Sequence, residues 1–353
     1  MENTLSHDLD HILQHTEGLW QDLRGERVFL TGGTGFVGTW LLESLLWANR
    51  RLDLGVRCTV LTRDAAAFER RAPHLAYDRA VMTLAGHATS FDFPDGTFSC
   101  VIHAATEKPF AASPDRPYST FRADVDATTR VLEFVSRCHA HRMLFTSSGA
   151  VYGPQPASIL HVSENYPGAP SATDVRTAYG QAKRASEFLC CSASQAQGFG
   201  VAMARLFTFV GPHLPLDVHY AVGNFLRDVL EGGPIRVAGD GTPYRSYLYA
   251  ADLAAWLWTM LLRAPSGVPF NVGSSQEISI ADLACRVVES VSPETEVHIA
   301  GTSVPGAPAS RYVPDTRRAA QVLGLQSWIP LEEGIRRTYD WHVRQRAMEE
   351  SCV

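Results

Sequence analysis

Arg27-Val-Phe-Leu-Thr31 is a short apolar run, a turn carrying Gly32 and Gly35 follows at once, and Phe36 to Ala48, with Gly38 near its start, keeps helical period. A strand that passes straight into a helix through glycines leaves few architectures open. The helix has to cross back over a sheet, so that the next strand lies parallel to the first. In such a turn Gly32 allows the tight bend. Gly35 lets backbone N–H groups approach a pyrophosphate at the helix N-terminus, and Gly38 lets helix and strand pack closely. A glycine triplet alone carries little weight; the strand before it and the helix after it make the pattern specific.

The alternation continues along the chain. Val56 to Thr62, Ala80 to Leu84, Ser99 to Ala105, Arg142 to Ser148 and Val201 to Phe207 read as strands, with helices around Asp124 to Cys138 and Ala178 to Gln195. This predicts an α/β fold: a Rossmann-type doubly wound parallel sheet with helices on both faces. After Gly211-Pro212 the turn signals multiply, at Gly232-Gly-Pro, Gly239-Asp-Gly and Pro305-Gly-Ala-Pro308, and short elements follow irregularly. A smaller α/β C-terminal domain that closes over a substrate is expected there.

Hydrophobic residues make up 45% of the chain and charged residues 19%, enough apolar surface for a large core, which excludes wholesale disorder. A net charge of −6 offers no basic excess for nucleic acid. The longest apolar stretch, Leu253 to Leu262, is too short to span a bilayer, and the acidic, polar N-terminus does not read as a signal peptide. Seven cysteines form no CxxC pair and no metal spacing, which fits reduced thiols in a cytoplasmic protein. Ahead of the first strand, Leu5, Leu9, Ile12, Leu13, Leu19, Trp20 and Leu23 give residues 4–23 a helical stripe. His7, His11 and His15 recur on the face opposite that stripe, where a solvated surface and no metal is expected.

Two further constellations bear on chemistry. Tyr179-Gly-Gln-Ala-Lys183 places a phenol and an ammonium one helical turn apart. The cation is expected to lower the phenol from about 10 toward neutrality and to fit it for proton transfer. Phe145-Thr-Ser-Ser-Gly-Ala-Val-Tyr-Gly153 ends the fifth strand with hydroxyls that could meet a substrate alcohol beside Tyr179.

Taken together, these segments resemble the extended short-chain dehydrogenase/reductase family, in its nucleotide-sugar epimerase/dehydratase branch. Thr31-Gly-Gly-Thr-Gly-Phe-Val-Gly38 is similar to that family's TGxxGFxG, SSGAVYG to its strand end and YGQAK to its YxxxK. Farther on, the segment from Gly239 to Ala254, the Phe270-Asn-Val-Gly273 turn and Arg311-Tyr-Val-Pro-Asp315 also match in order. The resemblance implies a catalytic set of Ser148, Tyr179 and Lys183. Ser148 would orient a sugar hydroxyl, Tyr179 would be the acid/base, and Lys183 would bind the nicotinamide ribose. It implies a cofactor site built from Gly32, Thr34, Gly35, Phe36, Val37 and Gly38, with Thr62, Arg63, Ala104, Ala105, Tyr179 and Lys183. Arg245 and Arg311 would pair with the diphosphate of a nucleotide sugar, and Asn224 would contact the same ligand. Residues 1–24 would be a helical extension, 25–207 with about 240–265 the NAD(P)-binding domain, and 208–239 with 266–353 the nucleotide-sugar domain. A homodimer is expected.

Departures from the family pattern narrow the reaction. Dehydratases of this branch carry Asp-Glu after the hydroxyl residue, and the related decarboxylases keep an acid there. This chain has Gly149-Ala150, which cannot shuttle a proton. A nucleotide-sugar 4-epimerase is therefore expected, with a 4-ketoreductase and then a 4,6-dehydratase or decarboxylase as alternatives. The stretch from Val210 to Phe225 resembles the decarboxylase and dehydratase pattern instead. A noncatalytic NADP(H)-sensing regulator, a different class, would have no need of Ser148, Tyr179 and Lys183. The second strand ends Leu61-Thr62-Arg63, where NAD-using relatives have Asp. This favours NADP, with Asp64 leaving NAD open. Asp124 stands where the family usually has Asn. His103 is expected to be packed or beside the cofactor rather than catalytic.

Overall fold

The computed structural model describes residues 3–106, 116–217, 220–304 and 306–350; of the seven cysteines, Cys352 lies outside them. Seven strands form one parallel sheet: β1 (Arg27–Thr31), β2 (Arg57–Thr62), β3 (Val81–Ala85), β4 (Cys100–His103), β5 (Arg142–Ser148), β6 (Gly200–Leu206) and β7 (Pro269–Val272). Their order across the sheet is β7-β6-β5-β4-β1-β2-β3. The chain moves outward from β1 to β3 and then returns to the other side of β1 with β4. Ligands of such sheets bind at that reversal, beyond the strand carboxyl ends. The division drawn from the sequence needs one correction. β7 falls in the segment assigned to the smaller domain, yet it pairs with β6, Pro269 opposite Met203, and forms an edge of the large sheet.

Strand side chains alternate between two cores. Val28, Leu30, Val60 and Ile102 enter one, while Phe29, Val101, Phe145 and Val201 enter the other. Both faces are thus covered, which is why these strands read as continuous apolar runs. The helices are α1 (Ser6–His15), α2 (Phe36–Leu52), α3 (Ala65–Arg71), α4 (Pro117–Arg137), α5 (Ala178–Gln197), α6 (Ala221–Leu230), α7 (Ala250–Arg263), α8 (Ile280–Val291) and α9 (Leu331–Glu350), with short helices at Pro73–Ala76 and Arg317–Leu323. α4 and α5 pack on each other over the second core, where Phe29 meets Phe134 at 4.5 Å between ring centroids. α2 and α7 cover the first.

Every residue of α7 from Ala250 to Leu262 is buried. A helix apolar all round needs cover on both sides. The sheet supplies one side, and α1 and α2 supply the other. The N-terminal stripe is therefore part of the core, although it is not a single helix: α1 ends at His15, Gly18 turns with φ 80°, and Trp20–Leu23 form a 3-10 turn. Trp20 packs against Trp258 of α7 at 5.1 Å. The expected solvated histidine face is corrected as well. His11 Nε2 lies 2.8 Å from buried Asp252, and His15 stacks on Trp328 at 4.0 Å. Only His7 of the three is exposed.

The C-terminal half adds a three-stranded sheet, with Tyr244–Ser246 between Glu277–Ser279 and Arg311–Tyr312. Among the described residues no helix is long and apolar enough to cross a membrane.

Candidate active site

The glycine turn leaves β1 at the sheet's reversal, beside the end of β4. Gly32 has φ 73°, and a Cβ there would lie 2.5 Å from the Ala104 carbonyl carbon. Gly38, in the first turn of α2, would place a Cβ 2.1 Å from the Gly32 carbonyl oxygen. Gly38 thus lets the helix close onto the turn itself. Gly35 is exposed, and the N-terminal amides of α2 follow it. Thr34, Phe36 and Val37 line the turn half-buried, and Ala104 and Ala105 face it from just beyond β4. The Ala105 amide is anchored by Thr31 Oγ1 at 3.1 Å. This open cradle at a helix N-terminus fits the pyrophosphate of a dinucleotide.

At the end of β2, Thr62 is buried and Arg63 exposed. Asp64 caps α3 by accepting from the Ala67 amide at 2.8 Å, so one carboxylate oxygen is already engaged. Arg71, which sequence reasoning missed, donates from α3 to the Thr34 carbonyl and brings a second guanidinium to the turn. His103 is packed: its Nδ1 meets Thr31 Oγ1 at 2.8 Å, and burial depresses it to about 3.

Tyr179 and Lys183 occupy the first turns of α5, against the end of β5. Lys183 is buried and donates to the Thr146 carbonyl at 3.1 Å. Its Nζ sits 5.7 Å from the Tyr179 ring centre. The expected lowering of the phenol is not what this arrangement gives. Desolvation drives Tyr179 well above the ordinary phenol range, and the Ser148 hydroxyl is the group that pulls it back. Lys183 is itself depressed by burial and partly restored by Asp124 on α4. The ammonium is turned toward a carbonyl and shares its field with that carboxylate, which leaves it little effect on the phenol.

Ser148 caps the 3-10 turn Gly149–Tyr152, its Oγ accepting from the Ala150 amide at 3.1 Å. The same hydroxyl lowers the phenols of Tyr179 and Tyr312, against the larger upward push of burial, and the Tyr312 hydroxyl donates to the Leu206 carbonyl at 3.4 Å. Tyr220, at the start of α6, lies near both rings and raises each. Neither Tyr312 nor Tyr220 was singled out from the sequence. Tyr312 lies next to Arg311 in the Arg311-Tyr-Val-Pro-Asp315 segment, where no local spacing marks it as a site residue. Beneath this group, Ser147 donates to Glu187 at 2.6 Å, Arg205 pairs with Glu187 at 2.7 Å, and Tyr152 donates to Asn271 at 2.7 Å. This buried network ties α5 to β5, β6 and β7.

The outlying residues are placed differently from one another. In the three-stranded sheet Tyr312 stands opposite Arg245, and Arg311 opposite Tyr244. Adjacent residues of a strand face opposite sides, so Arg245 shares a face with Tyr312, and Arg311 lies on the other. Arg245 is depressed by desolvation, and its electrostatic neighbours are Tyr247 and Tyr312 rather than a carboxylate. Arg311 pairs with Glu277 and lies over the Tyr244 ring at 4.3 Å. The two arginines expected to act together are thus separated. A cleft of about 380 Å³ opens alongside, lined by Tyr244, Tyr247, Gln276, Glu277, Asp282 and Arg286. Asn224 accepts from Arg227 at 3.4 Å, one helical turn from Tyr220.

Comparison with known proteins agrees with this geometry. UDP-glucuronic acid decarboxylase 6 of Arabidopsis thaliana is 28% identical over 313 residues, covering 88% of this chain and 86% of that one. UDP-glucose 4-epimerase of Thermotoga maritima, solved with UDP-glucose, superposes with a TM-score of 0.76 at 18% identity, over 91% of this chain and 99% of that one. UDP-glucose 4-epimerase of Thermus thermophilus, solved with NAD, gives 0.72 at 24% identity, over 89% and 98%. The family model for NAD dependent epimerase/dehydratase matches residues 28–273. That span runs from within β1 to just past β7 and so takes in the whole parallel sheet and both ends of the reversal; the chain belongs to the NAD dependent epimerase/dehydratase family.

Proposed function

We propose that this chain oxidises a nucleotide-diphosphate sugar at C4 and returns the hydride to give the 4-epimer. The observation that carries this is the placement of Tyr179 and Lys183 in the first turns of α5, with Lys183 bonded to the Thr146 carbonyl of β5, at the end of the strand that closes with Ser148, beside a Gly149-Ala150 pair with no group for eliminating water. A bound nicotinamide supplies a hydride acceptor and donor at the sugar carbon. Tyr179 takes the proton of the C4 hydroxyl, Ser148 holds that oxygen, and Lys183 binds the nicotinamide ribose. Once C4 is a ketone, a turn of the sugar presents its other face, and Tyr179 returns the proton. Arg245, desolvated and facing the site, pairs with the diphosphate; Asn224 contacts the same ligand.

Decarboxylation is a second reading, favoured by the likeness to UDP-glucuronic acid decarboxylases over most of both chains. Oxidising a hexuronate at C4 makes a β-keto acid, which loses CO2 once its C4 oxygen is held by donors. Ser148 and Tyr179 could serve there without a further acid. A panel of UDP-, dTDP-, GDP- and CDP-sugars that includes UDP-glucuronate separates the readings by mass and NMR. An epimer keeps its mass, and a pentose product has lost CO2. Net oxidation of NADPH by a 4-keto sugar, with no isomerisation, would transfer the assignment to a ketoreductase.

NADP is the cofactor we favour, because Arg71 reaches the turn and exposed Arg63 directly follows β2, while Asp64 is engaged as a helix cap. Calorimetry giving tighter binding of NAD than of NADP would overturn this. Exposed Tyr118 on α4 and exposed Phe188 on α5 support a homodimer, which sedimentation equilibrium checks. The sequence composition supports a cytoplasmic setting, which localising a tagged protein in its own cells checks.

A further inference from the structure

Asn271 lies in β7, at the edge of the large sheet, and is fully buried. Its side-chain Nδ2 donates to the Val162 carbonyl at 2.8 Å and to the Asp315 carbonyl at 3.0 Å. Its Oδ1 accepts from the Tyr152 phenol at 2.7 Å. Carbonyls only accept, so these two fix which end of the amide faces which partner. Arg205 donates to the same phenol oxygen at 2.9 Å, which leaves the phenol proton for Asn271. The backbone amide of Asn271 donates to Glu164 Oε1 at 2.9 Å rather than to a neighbouring strand.

Three stretches of chain meet on this one residue. Tyr152 closes the 3-10 turn that Ser148 caps. Val162 and Glu164 belong to the segment that follows that turn. Asp315 ends the run that begins with the Arg311–Tyr312 strand, whose neighbour in the small sheet carries Arg245. The last two stretches are also joined by backbone: the Val162 amide donates to the Val313 carbonyl and the Asp315 amide to the Val162 carbonyl, both at 2.9 Å. Tyr152 and Asn271 then fasten the joined pair to the turn of Ser148. We propose that Asn271 is a positioning residue: its amide holds the strand beside Arg245 at a fixed place relative to the turn of Ser148, so that a sugar bound by its diphosphate presents its C4 oxygen to Ser148 and Tyr179. This rests on the reading of Arg245 as a diphosphate ligand and of Ser148 and Tyr179 as the reacting pair.

The test is a double-mutant cycle in the full chain with Tyr152→Phe, Asn271→Ala and both, using the nucleotide sugar that the panel shows to be turned over. Tyr152→Phe keeps the buried ring and removes only the hydroxyl. Well below the melting temperature kcat should fall about tenfold, the loss of one hydrogen bond, with KM little changed, because the nucleotide still binds but no longer places its sugar. In the Asn271→Ala background the same change should cost nothing more, because the phenol acts through the amide. Equal losses in both backgrounds, or a loss confined to KM, would overturn the proposal. A second measurement needs no substrate and only Tyr152→Phe, so it decides even where Asn271→Ala does not fold. Hydrogen exchange at the Val162 and Asp315 amides should quicken severalfold, while the Ala202 and Ala204 amides inside the large sheet keep their rates. Unchanged exchange at Val162 and Asp315, or equal quickening at all four, overturns the positioning role, the latter because it marks a general loosening. A chain that turns over no nucleotide sugar, yet shows the local change, overturns the functional reading and leaves Asn271 as the residue that sets the small sheet against the turn of Ser148.

Discussion

A phenol in the surroundings of Tyr179 keeps its proton. Desolvation favours the neutral form, the nearby phenol of Tyr312 and the carboxylate of Asp124 add to that, and only the Ser148 hydroxyl opposes it. In the proposed reaction a bound oxidised nicotinamide would supply the positive charge that fits Tyr179 to act as a base. Tyr179→Phe should therefore lower turnover by about a hundredfold to ten-thousandfold while the melting temperature and cofactor affinity stay close to those of the unmodified protein. Near-normal turnover would remove the assignment. Asp124 gives a test with a sign. Its charge raises both Tyr179 and Lys183. Asp124→Asn should let both lose protons at lower pH, so the rising limb of the rate–pH profile moves to lower pH. A move to higher pH, or none, would show that Asp124 does not act on this pair.

α1 and α7 explain why some of the molecule is legible in the sequence and some is not. The glycine turn, the strands and the Tyr179–Lys183 pair are local patterns: each is set by residues within a few positions, where period and spacing can be read directly. His11 and Asp252 are 241 positions apart, and nothing in either neighbourhood announces the other. The histidine face looked solvated because it lies opposite the apolar stripe, but α7 is buried on all sides and α1 is part of its cover. Tyr312 and Arg245 meet only through the pairing of two short strands, a register that turn signals do not reveal. The Asp252 carboxylate accepts from His11 and from the amides of Trp328 and Ile329 at 2.9 and 3.0 Å, clasping three parts of the chain around the first turn of α7. Asp252→Ala leaves two backbone donors without their acceptor, at about 1–3 kcal/mol each, whereas His11→Ala removes one contact worth about 1 kcal/mol. Urea unfolding should rank Asp252→Ala as clearly the more damaging. Equal losses would show that the amides find other partners.

Acid should destabilise the whole molecule earlier than its carboxylates alone would dictate. His103 is depressed by burial to about 3, and His213 and His342 to about 4. Both of the latter leave a buried Nε2 without a hydrogen-bond partner. A histidine lowered in the folded state holds fewer protons than it does unfolded, so its contribution is complete above the unfolded value of about 6.5 and is lost as pH falls toward the folded value. His74 has the opposite sign: a hydrogen bond to Glu43 raises it, so its contribution is complete below about 6.5 and is lost as pH rises through its folded value. By pH 5 His74 is protonated in both states and no longer affects the slope, while the three buried rings act together and His15, also lowered by burial, acts in the same direction. Unfolding near pH 5 should then take up about three protons, on the order of 1.4 kcal/mol per pH unit for each. Urea midpoints measured from pH 7 to pH 4.5 should fall steadily and steepen below 6. Replacing His213 with Gln, which has no charge to gain, should flatten that slope by about one proton. A midpoint that stays level from pH 7 to pH 5 would mean that these rings become protonated without leaving the folded state.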